Sequence, residues 1–111
     1  MNKKRFIELA QLRAFMAEQS TEVRLEYDTI VNMLEHDGRL TMPFGEKITG
    51  RNLFAIRVMQ AGNVRVFYAY GVDDYVFGLH GYVKKTKTIP LKEMKQAERM
   101  LKFLRAGGKK R

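Results

Sequence analysis

Two successive stretches in the first third of the chain carry apolar residues at helical spacing. The first runs from Lys3 to Gln19 and has one broad apolar side. The second starts after Ser20 or Thr21, both good N-cap residues, and ends at Gly38, because glycine adopts the left-handed C-cap conformation at little cost. The apolar positions are Phe6, Leu9, Leu12, Phe15 and Met16, followed by Val23, Tyr27, Ile30, Val31 and Leu34. This pattern predicts a helical hairpin over residues 1–38 with one side to bury.

The hydrophobic period becomes two after an irregular link, "LTMPFGEKITGRN". In "LFAIRVM" alternate residues share a face, so Arg57 lies on the side opposite Ile56. The runs "VRVFYAY" and "YVFGLHGYV" follow, and the connections "QAGN" and "GVDD" are typical of hairpin turns. These runs predict an antiparallel three-stranded β-meander over residues 53–84.

The last apolar stripe lies in "PLKEMKQAERMLKFLR" and predicts a C-terminal helix over residues 90–105. Pro90 suits the first turn, and Glu93 complements the helix dipole. A basic tail over residues 107–111 is expected to fray. Together the elements predict one α+β domain spanning residues 1–111, in which the N-terminal helices cover the sheet because a lone sheet leaves apolar side chains in water.

Charge is the strongest global signal in this chain of 111 residues. Lysine and arginine number 21 against 12 acidic residues, which gives a net charge of +9 and a pI near 10.0. This excess suits a polyanionic partner such as nucleic acid, a ribosome or a strongly acidic protein. The chain has no cysteine and no apolar run of the ~18 residues that a membrane span needs. We therefore expect a cytoplasmic protein without disulfides, thiolate chemistry or a membrane partner.

The sequence offers little for metal or cofactor chemistry. His36 and His80 are the only histidines, and no carboxylate pair accompanies them at ligand spacing. His36 stands beside a helix C-terminus, where the dipole stabilises an imidazolium. There is no glycine-rich phosphate loop and no nucleophile elbow. We therefore expect neither a metal nor a cofactor.

Cationic side chains on the predicted sheet are the remaining candidates for chemistry. Arg57 lies within an apolar strand, and Arg65 opens the next. In the third strand alternation places His80, Tyr82 and Lys84 on the side opposite Leu79, Gly81 and Val83. Taken singly, each residue fits a solvated sheet face. Together, cations for phosphate and an aromatic ring for a base would suit RNA.

The segments "LFAIRV", "VRVFYAY" and "LHGYVKKTKTIPLKEMKQAERM", in this order behind two helices, resemble the RelE/ParE toxin superfamily, most closely its HigB-like, phage-derived branch. The resemblance covers about residues 12–104. It implies a RelE-like fold and the toxin of a type II toxin–antitoxin system. RelE- and HigB-type toxins cut mRNA in the ribosomal A site without metal, whereas ParE-type relatives poison DNA gyrase.

The resemblance also implies site residues. The arginines of the first two strand motifs fall on Arg57 and Arg65, the basic pair after the last strand on Lys84 and Lys85, and the strand histidine on His80. Tyr82, Lys87 and Lys47 are expected to contact RNA. The chain departs from the pattern in three places. Ala55 stands where RelE-like enzymes often have a second basic residue, and "TIP" replaces the family's "KTP", which displaces Lys87 and Thr88 from their counterparts. In addition, "MNKKRFIEL" predicts a helix where the family usually opens with a strand.

The implied reaction is attack of a ribose 2′-OH on the adjacent phosphate. Arg57 and Arg65 would clamp the phosphate, Lys84 and Lys85 would hold the backbone or stabilise the added negative charge, and His80 or Tyr82 would transfer protons. A non-enzymatic gyrase inhibitor and an inactive nucleic-acid- or antitoxin-binding relative remain alternatives. The implied partners are the ribosome with its mRNA and a cognate antitoxin, a helix-turn-helix protein of the HigA type, with which a higher-order complex can form.

Overall fold

The computed structural model describes residues 3–107, which form a five-stranded sheet and three helices. In chain order the elements are β1 (Arg5–Glu8), α1 (Ala10–Ala17), α2 (Thr21–Asp37), β2 (Gly45–Ile48), β3 (Leu53–Val58), β4 (Val64–Tyr70), β5 (Tyr75–Val83) and α3 (Leu91–Arg105). None of these helices combines the length and apolar character that crossing a membrane requires. Of the predicted basic tail, only Gly107 belongs to the described residues.

The strand order in the sheet is β1-β5-β4-β3-β2, and β3, β4 and β5 form the antiparallel meander that alternation predicts. Two further strands flank it. β1 pairs parallel with β5, so the prediction of a helix from Lys3 onward is wrong, and the first helix begins only at Ala10. β2 pairs antiparallel with β3 inside the segment predicted as an irregular link. Four-residue strands are too short for periodicity to identify them, because Phe6 fits a helical stripe as well as a strand.

Helix α2 has the ends that the sequence predicts. The hydroxyl of Ser20 accepts a hydrogen bond from the N–H of Val23 at 3.1 Å, which satisfies one of the unpaired donors of the first turn. Gly38 has a φ of 83°, a left-handed conformation that glycine adopts without strain, and its N–H donates to Leu34. The buried stripe of this helix is Val23, Tyr27, Ile30 and Leu34.

Helices cover both faces of the sheet. α1 and α2 pack on the face that carries Ile56, Val66 and Tyr68. On the other face, called the α3 face below, Phe67 and Ala69 belong to a second apolar cluster with Ala97 of α3. The sheet is therefore the middle layer of the domain, and a side chain on the α3 face meets water only where α3 does not reach.

A β-bulge in β5 changes which side chains lie on the α3 face. Phe67 pairs with His80, but the next residue of β4, Tyr68, pairs with Gly78, so one residue of β5 is extra. Leu79 consequently lies in the α3-face cluster, on the same side as His80. The prediction that these two residues point to opposite faces is wrong, because strict alternation fails at a bulge.

Glycines in β5 allow α1 to lie directly on the strand. A Cβ on Gly81 would lie 2.7 Å from a ring carbon of Phe15, and one on Gly78 would lie 2.6 Å from a methyl carbon of Leu12. Both contacts are on the face opposite α3. A larger residue at either position would push α1 away from the sheet.

Candidate functional site

Two arginines and a tyrosine are direct neighbours across the three central strands. Arg57 of β3 pairs with Arg65 of β4, and Arg65 pairs with Tyr82 of β5. Cross-strand partners point to the same face of a sheet, here the α3 face close to the β3–β4 turn. His80 lies on this face two residues before Tyr82. The structure thus brings Arg57, Arg65, His80 and Tyr82 together.

Glu46 of β2 lies between the two arginines. Its Oε2 atom is 3.6 Å from Nε of Arg57 and 4.0 Å from Nε of Arg65. The register of β2 places Glu46 opposite Ala55, on the α3 face. A carboxylate therefore lies next to Ala55, the position where the family resemblance implied a second basic residue.

Arg65 is buried, with 3% of its surface exposed. One terminal nitrogen donates to the side-chain oxygen of Asn63 at 2.9 Å and to the carbonyl of Val64 at 3.3 Å. Burial lowers the pKa of Arg65 from its usual value, repulsion from Arg57 lowers it further, and Glu46 opposes both effects. A guanidinium still carries its charge under these conditions, so the site holds a buried cation whose Nε has no hydrogen-bond partner.

Arg57 is tied to the segment that precedes β2. Its Nη1 donates to the carbonyl of Pro43 at 2.9 Å, and its Nε, like that of Arg65, has no hydrogen-bond partner. The side chain is 16% exposed, so it borders solvent while Arg65 lies beneath it. Both orphaned Nε–H groups are buried, and the nearest anion to each is the carboxylate of Glu46, so a substrate anion would reach them only by displacing Glu46.

His80 is held by the first turn of α3. Its Nε2 lies 2.6 Å from Oε1 of Glu93, and both side chains are about four-fifths buried, with 20% and 19% exposed. An ionised carboxylate can only accept, so Nε2 carries the proton of this bond. The rings of Phe67, His80 and Tyr82 lie nearly parallel, with centroids 5.8–6.5 Å apart.

Tyr82 has a buried hydroxyl without a hydrogen-bond partner. Burial raises the pKa of Tyr82 to about 12, with a smaller opposite effect from Arg65 and further raising by Glu93 and Glu46. The phenol is therefore protonated at neutral pH. A protonated hydroxyl beside a buried cation can donate a hydrogen bond to an anion or a proton to a strongly basic leaving group.

The lysines that follow β5 have different surroundings. Nζ of Lys84 donates to the carbonyls of Thr86 and Lys87 at 2.7 and 2.9 Å, so this ammonium organises the loop between β5 and α3. Lys85 and Lys87 are exposed. The loop continues the cationic surface from the end of β5 towards α3.

Lys47 lies apart from this group. It is paired with Phe54 in the sheet, its Nζ is 5.3 Å from the centroid of that ring, and it donates to the carbonyls of Ile48 and Arg51. Phe54 packs on the face covered by α1 and α2. The structure therefore places Lys47 on the opposite side of the sheet from Arg57 and Arg65.

Two acidic residues at the site are absent from the sequence prediction. Glu46 lies in the segment predicted as irregular, and Glu93 was interpreted only as a partner of the helix dipole. Alternation along "EKI" was the available signal, because it places Glu46 and Ile48 on one face and Lys47 on the other. Nothing local indicates that Glu93 meets His80. Within residues 3–107 no three His, Cys, Asp or Glu residues cluster as a metal site would require.

A protein family and a solved structure are similar to this chain. Residues 14–102 match the family described as "Phage derived protein Gp49-like (DUF891)". A search of curated proteins finds no match. A chain of the intact E. coli RelBE toxin–antitoxin complex has a similar fold, with a TM-score of 0.61 and 12% sequence identity over 73% of this chain and 96% of that one. The RelE-like fold is thus confirmed, the HigB-like branch stays a prediction, and the chain belongs to the phage-derived Gp49-like family.

Proposed function

We propose that this protein is the toxin of a toxin–antitoxin pair and that it cuts mRNA on the ribosome. The observation that carries the proposal is the cluster on the α3 face: Arg57 and Arg65 flank the carboxylate of Glu46, and the buried hydroxyl of Tyr82 on the same face has no hydrogen-bond partner. Membership of the Gp49-like family and the fold shared with a toxin–antitoxin chain support it. Both the chemistry and the net charge of +9 suit RNA.

The proposed reaction starts when the ribose 2′-OH attacks the adjacent phosphorus. Glu46, which is 30% exposed, turns from the arginines to the 2′-OH and accepts its proton. As Glu46 turns away, Arg57 and Arg65 hold the phosphate in place of the carboxylate, and during the attack their charge stabilises the additional negative charge of the transition state. One anion replaces another, so the arginines keep a counter-ion throughout.

The bond from phosphorus to the 5′-oxygen breaks last, and the leaving oxygen takes the proton of Tyr82. The products are a 2′,3′-cyclic phosphate and a 5′-hydroxyl; proton exchange with water restores Tyr82 and Glu46. His80, held by Glu93, fixes the neighbouring ring of Tyr82. Lys85 and Lys87 contact the RNA backbone, and Lys84 keeps their loop in shape.

The ribosome would supply the substrate positioning that this site lacks. Positioning a substrate can contribute ~7–11 kcal/mol to a reaction, and a cluster with one exposed carboxylate as base gains most of its rate that way. The protein would therefore act in the cytoplasm on mRNA held in the A site. A cognate antitoxin, of the HigA type and able to form a higher-order complex, would neutralise it.

The decisive experiment adds purified protein to translating ribosomes and to free mRNA. We expect cuts within ribosome-bound mRNA with 2′,3′-cyclic or 3′-phosphate ends, and little cleavage of free mRNA. Glu46→Gln should abolish the cuts, whereas Glu18→Gln on the opposite side of the molecule should not. Intact mRNA together with inhibition of purified gyrase would overturn the proposal in favour of the gyrase-inhibitor alternative.

A further inference from the structure

Helix α3 carries a row of cations on its outward face. Lys92, Lys95, Arg99 and Lys102 are all exposed, and these four residues are called the basic ridge below. At 3.6 residues per turn they lie within about 80° of arc, and they span about 15 Å along the helix axis. The opposite side of the helix is buried through Ala97 and Leu101.

The acidic residues of α3 do not neutralise this row. Glu93 accepts from His80, and Glu98 accepts from Arg51, both at 2.6 Å. Among residues 3–107, no carboxylate oxygen lies within 4.0 Å of a ridge nitrogen. Both carboxylates thus have partners outside the ridge, and although Glu98 lines the same surface groove as Lys95, Arg99 and Lys102, the row keeps an excess of positive charge.

Solvation of the helix surface explains the exposed lysines, but it does not explain the exposed aromatic residue beside them. Phe103 lies within the same sector of the helix as Lys92 and Arg99, and it is 55% exposed. An aromatic ring among cations gives no benefit in water, whereas it adds contact with sugars or bases when a nucleic acid lies on the surface.

The ridge also starts at the proposed cleavage site. Glu93, one residue after Lys92, holds His80, and the loop with exposed Lys85 and Lys87 leads directly into the helix. A polyanion on the ridge would therefore lie beside the RNA that enters the site. A straight helix with charges about 5 Å apart along its axis suits a rigid, regularly charged partner better than a folded acidic protein with scattered carboxylates.

We propose that the basic ridge binds the sugar–phosphate backbone of duplex RNA, and that it docks the protein on ribosomal RNA next to the strand that is cut. This inference rests on the proposed function for the identity of the RNA, but not for the binding itself. Backbone contacts of this kind are insensitive to sequence and strongly dependent on salt.

The test measures binding of a 20-base-pair RNA duplex at several salt concentrations. The ridge variant combines Lys95→Gln, Arg99→Gln and Lys102→Gln. The control variant combines Lys3→Gln, Arg24→Gln and Arg39→Gln, which remove the same charge from exposed positions outside α3. We expect the ridge variant to reduce the slope of log K against log salt by about 2–3 and the control to leave it nearly unchanged.

Each result has one meaning. Equal losses in the two variants, or an unchanged slope in the ridge variant, would overturn the proposal. A polyglutamate probe that loses binding only in the ridge variant, with duplex binding intact, would assign the ridge to an acidic protein and also overturn it. If the duplex result is as expected but ribosome-bound mRNA is never cut, the ridge stands and the proposed function falls.

Discussion

The Nε2 atom of His80 lies 2.6 Å from Oε1 of Glu93, and this bond joins the middle layer of the domain to the first turn of α3. Both side chains are mostly buried, so the bond is shielded from competing water. The position of α3 and the orientation of the rings beside the paired arginines are therefore coupled. A partner that moved the start of α3 would disturb the site without touching it.

Glu93→Gln tests Glu93 as a positioning residue. The amide keeps the shape but weakens the charge-assisted bond, so we expect a loss of about 1–2 kcal/mol in the free energy of unfolding. Cleavage of ribosome-bound mRNA should slow through kcat with KM little changed, because the ring next to Tyr82 is no longer fixed. Glu93→Asp should restore part of the rate. Unchanged kcat in Glu93→Gln would show that the bond serves folding only.

Glu46→Gln should separate binding from chemistry. Without the carboxylate, Arg57 and Arg65 have no internal anion, so a substrate with a 2′-deoxyribose at the cut should bind more tightly. The same variant lacks the proposed base, so cleavage should fall by about 10²–10⁴-fold. Both quantities can be measured on the same ribosome complexes, with Glu18→Gln as the matched control. Weaker binding in Glu46→Gln would contradict the exchange of one anion for another.

The sequence predicts the parts of the fold that depend on local signals. The ends of α2 follow from Ser20 and Gly38, and the meander follows from alternation and short turns. The missing strands depend on distant partners instead. β1 forms because it pairs with β5, and β2 forms because it pairs with β3. The four residues of each strand do not by themselves indicate which distant strand they will pair with.

The site is less predictable than the fold for a similar reason. Alternation correctly groups Arg57 with Ala55, and Tyr82 with His80. It cannot predict the bulge at Leu79, which places Leu79 on the same face as His80. Glu46 could not be assigned to the site without β2. Cross-strand geometry, rather than composition, decides which charges meet.

Glu26 links α2 to the β3–β4 turn and should make stability depend on pH. Its carboxylate accepts from the N–H groups of Met59, Gln60 and Ala61 at 2.7–3.1 Å. Burial alone would raise its pKa, but the three donors outweigh burial and the pKa is lowered. Because the folded-state pKa lies below the unfolded value of about 4.5, the stabilisation is complete above that value and is lost as pH falls through the folded pKa.

Urea unfolding of Glu26→Gln checks this link. At pH 7 we expect a loss of about 1 kcal/mol, a modest value because these bonds border water. The difference from the unmodified protein should shrink as pH falls through the lowered pKa of Glu26, because the carboxylate itself then becomes protonated. Asp28→Asn, an exposed position on the same helix, should show no such convergence. A pH-independent difference would assign the effect to packing.

Tyr82→Phe and Tyr27→Phe should have opposite consequences. The hydroxyl of Tyr82 is buried without a partner, so its removal should leave stability unchanged or slightly increased. The hydroxyl of Tyr27 donates to Glu8 at 2.7 Å on the other side of the sheet, so its removal should cost about 1–2 kcal/mol.

The rate of cleavage should respond in the opposite way. Tyr82→Phe should lower the cleavage rate about 10²-fold or more because the proton donor disappears, whereas Tyr27→Phe should retain its rate. Chemical unfolding and single-turnover cleavage on ribosomes measure the two effects separately. Full cleavage by Tyr82→Phe would remove Tyr82 from the chemistry and leave its buried hydroxyl unexplained.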